Sequence, residues 1–396
     1  MKYIVLIMDG ASGYPIPDRH DGTALSLATK VHLNALVKKG TLGLAHNVPE
    51  GMEPSSAVAC LSVLGYDPRK SYTGRGPIEA LALGITLNAY EVAFRCNLVT
   101  LENGNMKSYC CGHITDAESH ALIAALNEKL GDDRIRFYPG VSYRHILVVK
   151  KGEDLLSAEC TPPHDISDKP VALYRPRGNI SARFLDDLMR RSELVLKDHP
   201  VNKARMAAGK LPATSAWLFW GGAALSDLPR FEDVYKTKAC LTSGVDLLRG
   251  LARLTGIEIL DIKGVTGGLD TDYTAQIEGA LAALDTHDLV VVHVESPDEA
   301  GHMGSLAEKI KAIEEIDSKM VGRILQYDKD KFRLLVLPDH PTPVSVKTHT
   351  PDPVPFLLYG PNIDSNSGEA YTETEAESTG FLVTQGQILM GKLIFS

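Results

Sequence analysis

The chain has 396 residues, 44% hydrophobic and 23% charged, proportions that build buried cores rather than a disordered tract. At about 150 residues per domain, the length predicts one large unit with a second lobe. Its 41 basic and 50 acidic side chains leave a formal charge of −9, which argues against a nucleic-acid binder because a phosphate backbone needs a basic footprint.

A short apolar run over residues 3–8 predicts a buried strand, ended by Asp9-Gly10. It is too short for a secretory leader or a membrane span, so a soluble, cytoplasmic protein without membrane contact is expected. The six cysteines form no C-x-x-C pair and read as reduced thiols. In Gly51-Met52-Glu53-Pro54-Ser55-Ser56, Pro54 introduces a helix of small and apolar residues that Gly65 ends. A hydroxyl on its first turn faces the positive end of the helix dipole, which favours an alkoxide and a phosphate ester formed on it. A plain N-cap at Ser55 or Ser56 is the competing reading, and this stretch alone favours it.

From about residue 80 to 175 the pattern changes to shorter alternating runs, at 92–98 and 145–149, and a turn-rich segment at 161–165. Residues 81–175 are therefore expected to form an inserted α+β lobe that binds substrate. The segment 174–178 would be its return hinge, leaving 1–80 and 176–396 as a discontinuous catalytic domain. Further on come helices predicted over 243–254, 274–284 and 306–325, and a Gly-rich turn carrying Lys263 and Asp270. Buried strands are predicted at 289–294 and 334–337, ended by Glu295-Ser296-Pro297-Asp298 and Pro338-Asp339-His340. This β-α-β rhythm predicts an α/β fold with a mainly parallel sheet flanked by helices.

In such sheets the active site lies outside the carboxyl ends of the strands, so polar clusters at three strand ends predict one shared site. Asp298 and His302, one helical turn apart, come side by side. With Asp9, Asp339, His340 and His349 they offer three carboxylates and three imidazoles, a set that suits zinc or manganese rather than calcium. An isolated histidine is more often structural, but convergence of six such residues reverses those odds. Two ions about 3.5–4 Å apart clamp the oxygens of a phosphoryl transfer, and a serine beside them would be activated as nucleophile.

These motifs resemble the cofactor-independent phosphoglycerate mutases, in the shorter archaeal-type branch of the alkaline phosphatase superfamily. The resemblance runs through Ile7-Met8-Asp9-Gly10, Leu64-Gly65-Tyr66-Asp67-Pro68, Tyr72-Thr73-Gly74-Arg75-Gly76-Pro77, Phe94-Arg95-Cys96-Asn97, Pro297 to His302, Pro338-Asp339-His340 and Thr348-His349. It implies an alkaline-phosphatase-like fold and a cytoplasmic glycolytic and gluconeogenic isomerase that exchanges 3- and 2-phosphoglycerate through a phosphoserine. It also implies two divalent ions, manganese foremost, with zinc, cobalt or magnesium as alternatives. Asp298, His302 and His349 would hold one, and Asp9, Ser56, Asp339 and His340 the other, with Ser56 also the nucleophile. Arg75, Arg95, Asn97, His113 and Arg144 would grip the small phosphorylated substrate, and Lys263 in its Gly-rich turn could touch phosphate, with a turn shaped only by its backbone as the competing reading. The oligomeric state is left open. Family members often carry Asp and His where this chain has Ala57 and Cys60. That departure keeps a second acceptor in view, as in a homoserine kinase, and behind it a silent metabolite-binding protein.

Overall fold

The computed structural model describes residues 1–225, 228–327, 332–366 and 368–396. The chain divides into two units, Met1–Tyr72 with Asp227–Ser396, and Thr73–Ser226.

In the first unit, unalternating Val, Ile and Leu runs make strands buried on both faces, as a parallel sheet requires. Lys2–Met8 lies at the centre, between Leu289–Val294 and Phe332–Leu337, and runs parallel to both. Ala239–Thr242 and then Glu258–Ile259 extend the sheet in parallel beyond Leu289–Val294. On the other side come Val354–Tyr359, Thr41–Ala45 and Leu382–Val383, and among these described strands Val354–Tyr359 runs against the rest. The register sets Met8 opposite Val294, and Ile7 opposite both His293 and Leu337. Asp9, Glu295 and Asp339 therefore leave the sheet together at its carboxyl edge.

Helices Tyr273–Ala283 and Leu306–Glu315 cover one face, where Ile277, Ala280 and Ile313 join Ile4, Leu6 and Met8 in a single core. The helix predicted over 306–325 continues as a π-helical segment, Ile316–Val321, and a final turn, Gly322–Ile324. The helix predicted from residue 243 begins instead at Asp246, because Ser243 Oγ accepts the Val245 N–H at 3.0 Å and holds the chain in a turn. No described helix is long and apolar enough to cross a membrane.

The second unit is built on Glu91–Glu102, antiparallel to Asn105–Ser108, Arg144–Lys150 and Ser215–Ala223, with Ile135–Tyr138 beyond Arg144–Lys150. Val92, Phe94, Cys96 and Leu98 enter its apolar core, so the period-2 alternation puts Ala93, Arg95 and Asn97 on the opposite face.

This unit starts earlier and ends much later than the lobe expected over 81–175. Residues 174–178 are no return hinge: Arg175 pairs with Asp186 and Glu193 on the helix Ala182–Lys197. The chain then adds Ser215–Ala223 to the same sheet, and Trp217 Nε1 donates to the Thr161 carbonyl at 2.8 Å. The apolar run at 215–219 carries no local mark of which sheet it joins; a strand far back in the chain decides it.

Leu6 is fully enclosed in the central strand, so Leu6→Ala should destabilise the first unit by about 2–5 kcal/mol. An unchanged denaturant midpoint, followed by circular dichroism, would contradict its place in the core.

Candidate metal centre

Asp9 is fully buried where the central strand ends. Gly10 follows in the left-handed region (φ +61°), and a Cβ there would come within 2.5 Å of Asp298 Oδ1. Glycine thus permits both the turn and the close approach of Asp298. Asp339 Oδ1 accepts the backbone N–H groups of Gly10 (3.2 Å) and His340 (2.8 Å). Asn47 Nδ2 donates to the carbonyls of Pro338 and Asp339 and pins that strand end.

Asp298 lies on the first turn of the helix Ser296–Met303, where the dipole favours a carboxylate. Its Oδ2 is 3.1 Å from His302 Nε2, one turn on, and its Oδ1 is 3.5 Å from His349 Nε2. His302 and His349 approach with their Nε2 atoms 3.0 Å apart, and the His340 ring stacks on His349 at 3.9 Å between centroids.

The far side of each ring settles its polarity. A carbonyl only accepts, so His302 Nδ1–H donates to Lys347 O (3.0 Å) and His349 Nδ1–H to Pro54 O (3.2 Å). His340 Nδ1 lies 3.3 Å from Thr342 Oγ1, which itself donates to Asp298 Oδ1. The neutral form of each ring, the form that binds a metal, therefore carries its hydrogen on Nδ1 and turns an Nε2 lone pair towards the carboxylates.

Electrostatics agree. Burial, then the charges of Asp339 and Asp298, push the Asp9 carboxyl well above its ordinary range, and Asp9 Oδ1 has no hydrogen-bond partner among the described residues. Burial also works to raise Asp298, but hydrogen bonds from His302 and His349 outweigh it and hold that carboxyl well below normal. The bond to Asp298 lifts His302 to about 9, whereas burial drops His340 to about 4 and keeps it neutral. Donor atoms of Asp298, His340 and His349 lie within 4.8 Å of one another, as do those of Asp9, Asp339 and His340. Crowded acidic oxygens, one of them unsatisfied, beside inward-facing imidazole nitrogens fit divalent cations bound by mixed oxygen and nitrogen donors.

The helix Ser56–Val63 brings its amino end to this cluster. Ser55 is the N-cap, its Oγ accepting the Val58 N–H, while Ser56 is the first helical residue and its Oγ lies 3.1 Å from His340 Nε2. The capping role thus falls to Ser55 and leaves the Ser56 hydroxyl facing the donors. Ala57 is buried, and the Cys60 thiol donates to Asp339 Oδ2 at 3.5 Å. Burial and the Asp339 charge push that thiol well above its ordinary value, so it stays protonated.

Sequence reasoning passed over His293, Ser243 and Thr342, and named Glu295 only as part of the polar cluster that ends its strand. His293 Nε2 is 2.7 Å from Asp9 Oδ2 and 3.8 Å from Glu295 Oε2. The available signal was a lone histidine inside the apolar strand Leu289–Val294.

The remaining predicted residues, Lys263 apart, lie in the second unit. Buried Arg95 bonds Asn97 Oδ1 at 3.0 Å and pairs with Glu79, which also takes Arg75 Nε at 2.7 Å. Arg75 lies 4.1 Å over the Trp220 ring. Burial and the Arg75 and Arg144 charges pull Arg95 down to about 9, still cationic at neutral pH. Exposed Arg144 lies over Tyr143, and exposed His113 meets the edge of the same ring. Lys263 is exposed in the first unit and forms no hydrogen bond or ion pair among the described residues. Asp270 accepts from Thr266 Oγ1 and shapes its own turn.

A sequence profile described as 2,3-bisphosphoglycerate-independent phosphoglycerate mutase matches residues 37–202. Curated proteins of that name from Methanosarcina barkeri and Methanosarcina acetivorans are 44% and 45% identical over all of this chain and 99% and 100% of their own. One from Geobacter sulfurreducens, named as probable, is 43% identical over both full lengths. Among solved structures, a Pyrococcus horikoshii protein aligns with TM-score 0.82 at 27% identity, covering 99% of this chain and 96% of its own. A cofactor-independent phosphoglycerate mutase from Thermoplasma acidophilum aligns with TM-score 0.66, also at 27% identity, over 99% of both chains.

Because His302 sits near 9 without metal, it carries two ring protons at pH 7 and must release one to become a ligand. Manganese affinity should therefore climb with pH by up to about tenfold per unit until about pH 9, with proton release on binding. Calorimetric titration in buffers of different ionisation enthalpy checks this, and a pH-independent affinity would contradict it.

Proposed function

The chain belongs to the 2,3-bisphosphoglycerate-independent phosphoglycerate mutases, and from that premise we propose that it exchanges 3- and 2-phosphoglycerate through a phosphate carried on Ser56 at a two-metal centre. The observation that carries the reading is Ser56 Oγ, 3.1 Å from His340 Nε2 on the first turn of a helix capped by its neighbour Ser55. Asp298, His302 and His349 would hold one ion, and Asp9, Ser56, Asp339 and His340 the other. Such ions, manganese foremost, would stabilise negative charge on the serine and phosphoryl oxygens.

Ser56 Oγ attacks the phosphorus of 3-phosphoglycerate, the bond from phosphorus to the sugar-acid oxygen breaks, and the serine proton ends on the departing hydroxyl. Glycerate then offers its 2-hydroxyl to the phosphoserine. The new ester forms, Ser56 Oγ leaves, and the proton returns to it, so no water is consumed. The helix amino end supports the negative charge on the phosphoserine, and Ser55 fixes that end of the helix.

The guanidinium groups of Arg75, Arg95 and Arg144, with Asn97 and His113, are the residues we assign to the substrate's carboxylate and phosphate, which arginine's planar fork suits. Glu79 is part of that assignment, because its carboxylate braces Arg75 and Arg95 together. The relatives described above are named as mutases, which favours phosphoglycerate over homoserine as the partner in transfer.

Ser56→Ala should abolish turnover with the fold intact, whereas Ser55→Ala should cost about 1 kcal/mol of helix stability and leave turnover measurable. Acid quenching with labelled 3-phosphoglycerate, followed by peptide mass spectrometry, should place the phosphate on Ser56. Phosphate on Ser55, or full turnover by Ser56→Ala, would contradict the proposal.

A further inference from the structure

His293 is enclosed on the strand beside Asp9, with 1% of its surface exposed. Its Nε2 lies 2.7 Å from Asp9 Oδ2 and its Nδ1 3.0 Å from Ser243 Oγ. Asp9 must be ionised to hold a metal, and an ionised carboxylate only accepts, so in that state the 2.7 Å contact places the hydrogen on Nε2. Ser243 Oγ already accepts the Val245 N–H, and its own hydroxyl hydrogen is free to close onto Nδ1. The register sets Ser243 beside His293, since Val292 pairs with Thr242, and Asp9 two residues beyond it on the neighbouring parallel strand, since Ile7 pairs with His293.

This polarity is opposite to that of the ligating form of His302, His340 and His349, in which Nδ1 carries the hydrogen and the Nε2 lone pair faces inward. Donor atoms of Asp9, His293 and Glu295 also lie within 4.8 Å of one another. A bare Nε2 lone pair, however, would face a carboxylate oxygen at 2.7 Å, which favours a hydrogen bond over a further ion. Asp9 Oδ1 is the oxygen that lacks a partner and lies 3.6 Å from His340 Nε2, on the side of the proposed ligands.

We infer that His293 is a positioning residue for Asp9: it binds Oδ2 through an Nε2–H that Ser243 fixes in place, and so reserves Oδ1 for the metal. The inference rests on the two-metal reading above. Outer hydrogen bonds of this kind typically change metal affinity by about 10–100-fold.

Manganese alone, titrated calorimetrically into metal-free protein, is the probe. Wild type should bind two ions. His293→Ala should lose about 10–100-fold at one of them and leave the other unchanged, and His293→Gln, which restores an N–H donor, should recover most of the loss. Unchanged affinity at both sites in His293→Ala would overturn the inference, as would a glutamine variant no better than alanine. Nitrogen-labelled histidine NMR on wild type loaded with diamagnetic zinc reads the tautomer without disturbing the fold: hydrogen on Nε2 is expected, and hydrogen on Nδ1 alone overturns the assignment. Wild type that binds fewer than two ions would bring down the two-metal reading, while the tautomer would still decide the role of His293.

Discussion

Three carboxylates, Asp9, Asp298 and Asp339, are buried together at the carboxyl ends of parallel strands, and the surrounding structure answers their mutual repulsion. Two unit charges at 4.8 Å repel by roughly 3 kcal/mol at an effective dielectric of 20. A fold of ordinary stability cannot leave several such pairs uncompensated. Some compensation comes from the imidazoles. More comes from Lys309, fully enclosed, whose Nζ donates to the carbonyls of Ser12 (3.0 Å) and Thr342 (2.6 Å) and so joins the loops that follow Asp9 and His340. Burial pulls Lys309 down to about 8, which still leaves it charged near neutrality. Glu373 completes the tie by accepting from Ser12 Oγ and the Gly13 N–H.

The same crowding explains the orientation of the histidines. Three rings anchor Nδ1–H outward and, when neutral, free an Nε2 lone pair for a cation, whereas His293 donates a hydrogen bond from Nε2 to Asp9. A set of acceptors closed in this way takes up charge as protons or as cations, and the proposed chemistry follows from the second choice. In the other unit the arrangement is reversed. Arg75, Arg95 and Arg144 gather positive charge, Glu79 offsets part of it, and Trp220 and Tyr143 offer ring faces to guanidinium groups.

Much of the site was legible because parallel strands send all their carboxyl ends one way. Polar residues after apolar runs therefore had to meet, and the pattern of the chain alone groups Asp9, Asp339 and His340. The choice between Ser55 and Ser56 was not legible, since it turns on which residue starts the helix, within the usual uncertainty of a boundary. His293 was missed because it sits inside a buried strand, where polarity is visible but direction is not. The extent of the second unit was hidden for another reason: Ser215–Ala223 has the apolar look of any buried strand, and only its pairing with Glu91–Glu102 assigns it.

The claim on which the account rests is that these acids and imidazoles form two adjacent cation sites with Ser56 beside them. Anomalous diffraction at the manganese edge from crystals grown with manganese tests it most directly. The account predicts two peaks, one among Asp298, His302 and His349 and the other among Asp9, Ser56, Asp339 and His340. A single peak, or peaks held by other residues, would contradict it.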